Sequence, residues 1–426
     1  MTAGTKLRAS AVHALRCKEC GASYPLDARY ACEQCFGPLE VAYDHSELDP
    51  AAARRRIQAG SHGIWRYADF LPFAERPPAT RTALEPGLTP LVRADRLADR
   101  LGIGELWIKN DAANPTHSFK DRVVAVAVAK ARELGFNTVA CASTGNLANA
   151  VAAHAAAAGL RSYVFVPADL EEQKLLATAV YGTTLVGIRG SYDDVNRLCT
   201  ELSESRPWAF VNVNLRPYYA EGSKTLAFET IEQLGWQLPD RIVCPIASGS
   251  LFTRLGRAIG DWLELGLVAG ELPTFNGAQA SGCSPVAEAF ARGWDACRPQ
   301  RPATIAKSLA IGDPADGAYA LELARTTGGE IDAVSDHEIR AGIRLLAETT
   351  GIFTETAGGV TIAVLAKLAE RASIDRSERV VAYITGEGLK TLDAVRDGFA
   401  VRAIEPTADA FAAEVEAAAL RAAAPG

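Results

Sequence analysis

The sequence predicts an α/β fold with two open, twisted parallel-sheet domains, a cleft between them, and a small cysteine-rich module at the N-terminus. Two observations lead to this prediction. Beyond residue 88, short β-rich runs alternate with helical stretches, which is typical of parallel strands covered by helices. Residues 13–43 contain two Cys-x-x-Cys pairs separated by eleven residues. At 426 residues, the chain is long enough for more than one domain.

The alternation assigns the elements in order. The expected strands are 138–142, 162–166, 184–188, 209–213, 242–246, 274–278 and 380–385. The expected helices in the first half of this series are 145–158, 169–181 and 192–204. Ser335 and Glu338 match a capping box, so another helix should run from there to Thr350. Because open α/β sheets bind ligands outside the carboxyl ends of their strands, we expect the functional site there.

Composition narrows the function classes. The formal net charge is −7, with 22% charged and 48% hydrophobic residues. Nucleic acid is not an expected partner, because binding to a phosphate backbone requires a basic face. No apolar run reaches membrane-spanning length and the N-terminus has no signal-peptide core, so we expect a cytoplasmic protein without a membrane partner.

The cysteine-rich module is predicted over residues 1–45. Its four cysteines are Cys17, Cys20, Cys32 and Cys35. Each Cys-x-x-Cys knuckle turns sharply, so that its two sulfurs converge, and four thiolates suit tetrahedral coordination of a structural zinc ion. Of the other cysteines, Cys141 and Cys244 lie in apolar strand-like runs, where a reduced thiol acts as a small hydrophobe, so a disulfide framework is not expected.

Domain boundaries follow from breaks in periodicity. Prolines interrupt residues 46–88, which we interpret as a connecting arm, and its run of three arginines at 54–56 as a solvated helix face. A core is predicted over residues 89–400 and an alanine-rich tail, with a surface helix from residue 406, over 401–426. Within the core we expect a smaller subdomain at about 117–222 and a larger one composed of 89–116 and 223–400.

Lys120 carries the first indication of chemistry. It lies in the sequence NPTHSFKDR, residues 114–122, directly before the very apolar stretch 123–129. A lysine at the start of so apolar a helix is expected to face a buried cleft. The sequence ASTGN at 142–146 ends a strand-like run. Together they indicate a pyridoxal phosphate enzyme, which needs a lysine for an imine with the cofactor aldehyde and a loop of exposed amides for an amino-acid carboxylate.

Three loops share one design, in which a strand ends in small or hydroxyl residues before a helix begins. They are residues 142–146, residues 385–388, and the loop formed by Ala247, Ser248, Gly249, Ser250 and Leu251. Small residues let backbone N–H groups approach an anion, and the dipole of the following helix favours it. One such loop is weak evidence, since these turns are often glycine-rich for steric reasons. The combination with Lys120 favours a cofactor site.

These segments resemble the threonine synthases, within the tryptophan-synthase-β-like class of pyridoxal phosphate enzymes. The resemblance covers nearly the whole chain. It is carried by GPLEV at 37–41 with the cysteine pairs, NPTHSFKDR at 114–122, STGN at 143–146, RPYYAEGSKT at 216–225 and TGEGLK at 385–390. The resemblance implies a fold-type II architecture and a homodimer. The EGSKT segment resembles threonine synthase more than its dehydratase or cysteine-synthase relatives.

The resemblance also implies roles for individual residues. Lys120 would bind the cofactor covalently and transfer protons, and Asn146 would contact the cofactor's phenolic oxygen. The loop 247–251 would hold its phosphate, Thr385 would meet the pyridine nitrogen, and Ser143, Thr144 and Asn146 would bind the substrate carboxylate. Two features depart from the family pattern: His117 stands where a small or neutral residue is expected, and ASGSL at 247–251 replaces a loop that carries Gly and Asn.

Basic residues near the cleft are candidates for binding the substrate phosphate. Lys109, at a predicted strand end facing the cleft, is one candidate, with a surface lysine as the alternative reading. Lys224 is a second candidate, and Arg122 is expected near the same cleft. His117 is interpreted as a loop histidine rather than a proton-transfer group, and His154, on a helix of alanines, as a packing residue.

The implied reaction converts O-phospho-L-homoserine and water to L-threonine and phosphate by β,γ-elimination and replacement. The alternatives are a threonine or serine dehydratase and a β-replacement synthase, which would share Lys120, Asn146 and the phosphate loop but need no site for a substrate phosphate. A third alternative, from another class, is a zinc-ribbon binding protein whose α/β body has no catalytic activity. Such a protein would be colourless when purified, because it would not carry the cofactor.

Overall fold

A computed structural model describes residues 11–73, 84–169, 172–190, 192–396, 399 and 401–416. The chain is divided into two compact units, with the boundary between Lys390 and Thr391. Within the described part of the second unit, Thr407 accepts a hydrogen bond from the Ala410 N–H and caps a short helix. No helix among the described residues is long and apolar enough to cross a bilayer.

The regular elements are numbered in chain order. The strands are β1 Val12–Cys17, β2 Ser23–Tyr24, β3 Leu39–Tyr43, β4 Leu91–Arg93, β5 Glu105–Asn110, β6 Thr138–Ala142, β7 Arg161–Pro167, β8 Thr184–Ile188, β9 Ala209–Phe210, β10 Arg241–Pro245, β11 Thr274–Ala280, β12 Ile331–Val334 and β13 Arg379–Ile384. The helices are α1 Pro50–Gln58, α2 Asp95–Leu101, α3 Lys120–Glu133, α4 Asn146–Ala158, α5 Glu172–Ala179, α6 Tyr192–Ser205, α7 Arg216–Glu221, α8 Lys224–Gln233, α9 Ser250–Glu264, α10 Pro285–Ala291, α11 Gly317–Thr326, α12 Asp336–Thr350, α13 Thr356–Glu370 and α14 Ala408–Phe411. Short 3-10 segments lie at Ile64–Phe70, Asp111–Ala113, Lys307–Leu309 and Gly388–Ala394, and a π-helical turn at Ala412–Glu416.

The predicted fold class is confirmed. One sheet has the order β12-β11-β10-β13-β5-β4, with parallel pairs except for the antiparallel edge strand β4. A second sheet has the order β8-β7-β6-β9 and is parallel throughout. The N-terminal module is a separate antiparallel sheet with the order β2-β1-β3. Parallel strands joined by helices place their carboxyl ends on one edge, where the candidate site is built.

Element boundaries differ from the sequence-based prediction mainly at 209–213. The strand β9 ends at Phe210, because the Asn214 side chain accepts the Phe210 N–H at 2.8 Å and the Val213 N–H turns back to the Phe210 carbonyl at 3.0 Å. The helix expected at 169–181 is α5, and residues 170 and 171 lie outside the described residues. The capping box that opens α12 is present as predicted, with Ser335 and Glu338 each bonded to the other's backbone N–H. The tail helix expected from residue 406 begins at Ala408, and its part beyond residue 416 lies outside the described residues.

Helix α9 packs against helix α8 through stacked aromatic rings. Trp262 of α9 stacks on Phe228 of α8 with ring centroids 4.4 Å apart, and both side chains are fully buried. Trp236 stacks on the other side of this pair at 5.3 Å from Trp262. Aromatic pairs of this kind contribute about 0.5–1.5 kcal/mol beyond the burial of their area. The packing fixes the helix whose N-terminus belongs to the candidate site.

Candidate active site

Lys120 is the first residue of α3 and is partly exposed. Its ammonium group donates a hydrogen bond to the Tyr219 hydroxyl at 3.0 Å and lies 4.4 Å from the centroid of the Phe119 ring. The residues that follow it, from Val123 to Val128, are buried. The lysine is therefore fixed at its backbone by a buried helix, while its side chain is partly exposed.

The turn before Lys120 is attached to the end of β13. The Phe119 N–H donates to the Thr385 carbonyl at 2.9 Å, and Ser118 forms an isolated bridge with Gly386. The Glu387 N–H donates to the His117 carbonyl at 3.1 Å. These backbone bonds hold the lysine segment at the carboxyl end of a central strand, next to the buried Thr385.

Asn146, at the start of α4, contacts both the lysine segment and the larger sheet. Its amide nitrogen donates to the two carboxyl oxygens of Glu355 at 3.1 and 3.0 Å. Its amide oxygen accepts from the Lys390 ammonium group at 2.8 Å. Lys390 also donates to the Thr116 carbonyl at 2.6 Å, four residues before Lys120.

Sequence reasoning did not single out two residues of opposite charge that both hydrogen-bond to Asn146, the buried Glu355 and the half-buried Lys390. Burial raises the pKa of the Glu355 carboxyl above its ordinary value, and the Asn146 amide and the positive charge of Lys390 oppose that rise. Burial lowers the pKa of Lys390, which the Glu355 charge opposes. The signal that could have found Glu355 is a carboxylate placed directly before the apolar helix α13. A Cβ at Gly386 would lie 2.5 Å from this carboxyl group, so a larger residue there would require the Glu355 side chain to shift.

In the loop 142–146 the Ser143 hydroxyl is occupied by backbone N–H groups of the same loop and helix, so the backbone rather than this serine is available to a ligand. The Ser143 hydroxyl accepts the Gly145 N–H at 3.3 Å and the Ala148 N–H at 3.2 Å, and it therefore caps α4. The first turn of a helix leaves N–H groups without intrahelical partners, and its dipole favours an anion. Thr144 and the backbone at the start of α4 are the parts of this loop that could bind a carboxylate.

The loop formed by residues 247–251 has the geometry of an anion cradle. Gly249 has a φ of 93° and precedes α9, a helix of 15 residues. A Cβ at Gly249 would lie 2.7 Å from the Asp316 carbonyl oxygen, so the backbone runs too close to this neighbour for any side chain. Asp316 also donates its N–H to the Ser248 carbonyl at 2.8 Å. A phosphate fits such a loop, because small residues expose N–H groups at a helix N-terminus.

Helix α7 connects the cradle to Lys120. Arg216 at its start forms an ion pair with Asp316, with 2.9 Å between Nη2 and Oδ2, and a third of its side chain is exposed. Tyr219, three residues later, lies on the same helix face and accepts the hydrogen bond from Lys120. The structure thus brings Lys120 and Asn146 together with Thr385, and α7 links them to the loop 247–251.

Sequence comparison identifies the family. A family model described as pyridoxal-phosphate dependent enzyme matches residues 82–386. A protein of Methanocaldococcus jannaschii named threonine synthase is 38% identical over 393 residues, which are 92% of this chain and 95% of that protein. A threonine synthase of Methanosarcina acetivorans is 39% identical over 386 residues, 90% of this chain and 93% of its own length.

The chain belongs to the threonine synthases.

Solved structures agree at the level of the fold. A threonine deaminase from Solanum lycopersicum has a TM-score of 0.63 at 20% identity, with 84% of this chain and 95% of that chain covered. Diaminopropionate ammonia lyase from Escherichia coli has a TM-score of 0.63 at 17% identity, with 82% and 91% covered. Membership of this pyridoxal-phosphate dependent family makes the protein an enzyme with that cofactor. The lysine, the amide and the glycine-lined cradle described above fit such a group.

Lys109 does not face the cleft, contrary to the sequence-based expectation. Its side chain is fully buried, and its ammonium group pairs with Glu229 and donates to the Thr89 carbonyl at 2.7 Å and the Gln233 side chain at 2.8 Å. A lysine surrounded by protein acceptors has no position left for a substrate anion. Burial lowers its pKa, which the Glu229 charge opposes.

Arg122 belongs to the same buried network rather than to the cleft. Its guanidinium group pairs with Asp111 at 2.7 Å and with Glu229 at 2.8 Å, and all three side chains are buried. Burial alone would raise the pKa of Glu229, but Arg122 and Lys109 hold it well below its ordinary value. The network fixes the segment just after Lys120 to the larger sheet.

Lys224, the second candidate for the substrate phosphate, is also buried against carboxylates. Its ammonium group lies 2.7 Å from Glu221 and 3.6 Å from Asp261. Glu221 in addition accepts from the Tyr43 hydroxyl at 2.7 Å and pairs with Arg254 at 3.2 Å. The cluster joins α7, α8 and α9 to strand β3 of the N-terminal sheet, where Glu40 lies 3.4 Å from Arg254.

The two histidines occupy different environments. His117 is exposed and has a φ of 62°, a left-handed conformation within the turn before Lys120. Its role stays a prediction. His154 is buried, with its Nε2 2.9 Å from the Asp121 carboxylate, which also accepts the Thr116 N–H at 2.8 Å. His154 therefore packs behind the lysine turn.

The four N-terminal cysteines converge as predicted. Their sulfurs all lie within 4.8 Å of one another, with Cys17 and Cys35 3.5 Å apart and Cys20 and Cys32 3.6 Å apart. Adjacent sulfurs of a tetrahedral zinc site with Zn–S bonds of about 2.3 Å are separated by about 3.8 Å. The spacing therefore fits a zinc ion. The Gln34 N–H donates to the Cys32 sulfur at 3.3 Å, which would orient it as a ligand.

Proposed function

We propose that the protein converts O-phospho-L-homoserine and water to L-threonine and phosphate. The observation that carries this proposal is the 38% identity over 92% of the chain to a protein named threonine synthase. Lys120 is the attachment point of the cofactor in this proposal, because its partly exposed side chain lies at the carboxyl end of β13 while the helix that follows it is buried. Bound pyridoxal phosphate would supply an electron sink for the charge that develops on the substrate carbons.

In this proposal the residues around Lys120 bind the cofactor and the substrate. When the cofactor is bound, the loop 247–251 would hold its phosphate at the N-terminus of α9, and Asn146 and Thr385 would supply polar contacts to its ring. Ser143 shapes the loop that binds the substrate carboxylate through Thr144 and its backbone. Lys120 takes up protons from the substrate carbons, which a positioned amine can do once it is free.

Arg216 replaces Lys109 and Lys224 as our candidate for the substrate phosphate. Its side chain is one third exposed and lies on the same face of α7 as Tyr219, and its partner Asp316 contacts the anion cradle. Guanidinium groups suit phosphates because their planar donors can form two parallel hydrogen bonds. Among the described residues its carboxylate partner is Asp316, bonded through Nη2, which leaves further donors for a second anion.

The purified enzyme with its cofactor should be incubated with O-phospho-L-homoserine, and phosphate and threonine release should be measured together. We expect equal amounts of both. Phosphate with 2-oxobutyrate would instead indicate an elimination enzyme and would overturn the proposal. Lys120→Ala should abolish turnover and the absorbance of the lysine-bound cofactor, whereas Lys307→Ala, at an exposed lysine, should change neither.

A further inference from the structure

Tyr219 contacts the reactive nitrogen of the candidate site. Its hydroxyl oxygen accepts a hydrogen bond from Lys120 at 3.0 Å, and its ring lies 5.6 Å from the same nitrogen. No other described residue hydrogen-bonds to this hydroxyl. A phenol that accepts one bond still has its own proton to donate. Within the described structure that proton is therefore free for a substrate atom.

Other tyrosines near the site do not share this property. Tyr218, the preceding residue, donates its hydroxyl to the Asp27 carbonyl at 2.9 Å and is buried against the N-terminal module. Tyr43 donates to Glu221 and Tyr383 to Thr230. Each of these protons is held by the protein. The contrast marks Tyr219 as more than a packing residue.

We propose that Tyr219 is a catalytic residue that delivers a proton to the phosphate group as it leaves the substrate. The inference rests on the proposed function, because it requires a phosphorylated amino-acid substrate. Lys120 takes the proton from the β-carbon, the electron pair of that C–H bond forms a double bond to the γ-carbon, and the ammonium group of Lys120 passes a proton to the phenol oxygen. The carbon–oxygen bond to phosphate breaks with its electron pair on oxygen, and that oxygen takes the original phenol proton. Net transfer is one proton from carbon to phosphate.

The arrangement on α7 supports this direction of transfer. Tyr219 faces Lys120, and Arg216 lies about one helical turn away on the same face, where it can hold the phosphate oxygens. A hydroxyl between an ammonium group and an anion is polarised toward the anion, since it accepts from one side and donates to the other. Lys120 is thereby returned to its neutral form for the next proton.

The test compares two rates in the enzyme with bound cofactor. Phosphate release from O-phospho-L-homoserine reports the complete elimination, whereas exchange of the substrate α-proton in deuterated water, followed by NMR, reports Lys120 alone. We expect Tyr219→Phe to lower phosphate release about 100-fold or more, in the range of general acid catalysis, and to change α-proton exchange by only a few fold. Tyr218→Phe, the matched control one residue away, should leave the ratio of the two rates unchanged.

The outcomes separate the possibilities. Unchanged cofactor absorbance in Tyr219→Phe shows that Lys120 and the fold are intact. If phosphate release then stays within about threefold of wild type, or if release and exchange fall equally, the acid role is wrong. If the wild-type enzyme exchanges the α-proton but releases no phosphate, the proposed function fails together with this inference. Loss of release with retained exchange supports both.

Discussion

The amide nitrogen of Asn146 lies 3.1 and 3.0 Å from the two carboxyl oxygens of Glu355. The two residues are 209 positions apart, and each begins a helix or immediately precedes one: Asn146 opens α4 beside the smaller sheet, and Glu355 precedes α13 beside the larger sheet. One contact therefore joins loops from both sheets at the candidate site.

Glu355→Gln should show a pH-dependent effect on stability. Because burial raises the pKa of Glu355, its favourable contribution is present below the unfolded value of about 4.3 and is lost as pH rises through the raised value. Lys390 and Lys120 oppose the shift, and Glu387 adds to it. The melting temperature of the variant relative to wild type should therefore rise between pH 5 and pH 8. An equal difference at both pH values would contradict this, and the exposed Glu348→Gln serves as the control.

Glu229→Gln should destabilise the protein strongly, because it leaves Lys109 and Arg122 with one buried carboxylate fewer. The expected loss in unfolding free energy is about 3–5 kcal/mol. The pKa of Glu229 is lowered, so its contribution is present above the unfolded value of about 4.3 and is lost as pH falls below it. Urea unfolding at neutral pH should show the full difference, and unfolding in acid a smaller one. A loss below 1 kcal/mol would show that the network is not stabilising.

Gly249→Ala should weaken cofactor binding. The residue has a φ of 93°, and its new Cβ would lie 2.7 Å from the Asp316 carbonyl oxygen, so the cradle must shift. We expect the dissociation constant for pyridoxal phosphate, measured by fluorescence titration, to rise about tenfold or more. Gly260→Ala on the same helix α9 is the matched control, because no atom lies within 4 Å of its Cβ position. Equal affinities for the two variants would exclude the loop from phosphate binding.

Arg216→Gln should impair substrate binding. Loss of the guanidinium charge is expected to raise KM for O-phospho-L-homoserine about tenfold, a loss of roughly 1.4 kcal/mol, and to weaken inhibition by inorganic phosphate in parallel. The control is Arg257→Gln, which removes a 61% exposed arginine on α9. Steady-state kinetics with an unchanged KM in Arg216→Gln would contradict the assignment.

Metal removal should affect the N-terminal sheet. We expect elemental analysis to find one zinc ion per chain and a chelator to lower the melting temperature, since bound metal stabilises only the folded site. Cys32→Ser should lose the metal, whereas Cys297→Ser, far along the chain in residue number, should retain it. A metal-free wild-type protein with the same melting temperature before and after chelation would exclude a structural zinc ion.

Local patterns predicted the elements that carry the site. Periodicity predicted the bounds of β6 and β8 as the structure has them. For β6 the reason is that a fully buried parallel strand is a continuous apolar run, whereas β8 is a partly exposed edge strand. The small-residue loops could also be predicted locally, because a close approach of the backbone to a neighbouring group requires small residues such as glycine or serine in the loop itself. Gly249, with its positive φ, is one example.

Ion-pair partners could not be predicted in the same way. Lys109 pairs with a carboxylate 120 residues away, and Arg122 with one 107 residues away. Nothing in the neighbouring sequence marks Glu229 as their common partner, and an amphipathic pattern does not distinguish a cleft lysine from a buried ion pair. The same distance in sequence concealed Glu355 as the partner of Asn146.

The contacts of strand β3 limit how freely the N-terminal module can be exchanged. Tyr43 donates a hydrogen bond to Glu221, and Glu40 pairs with Arg254, in a charge cluster that Glu221, Lys224 and Arg254 form on three helices of the core. A chain shortened to begin after residue 45 would expose that cluster to solvent on one side and remove two of its partners. The module is thus not an interchangeable cassette. In a chimaera with another N-terminal module, the surfaces of α7, α8 and α9 that contact β3 would have to be redesigned together with the junction.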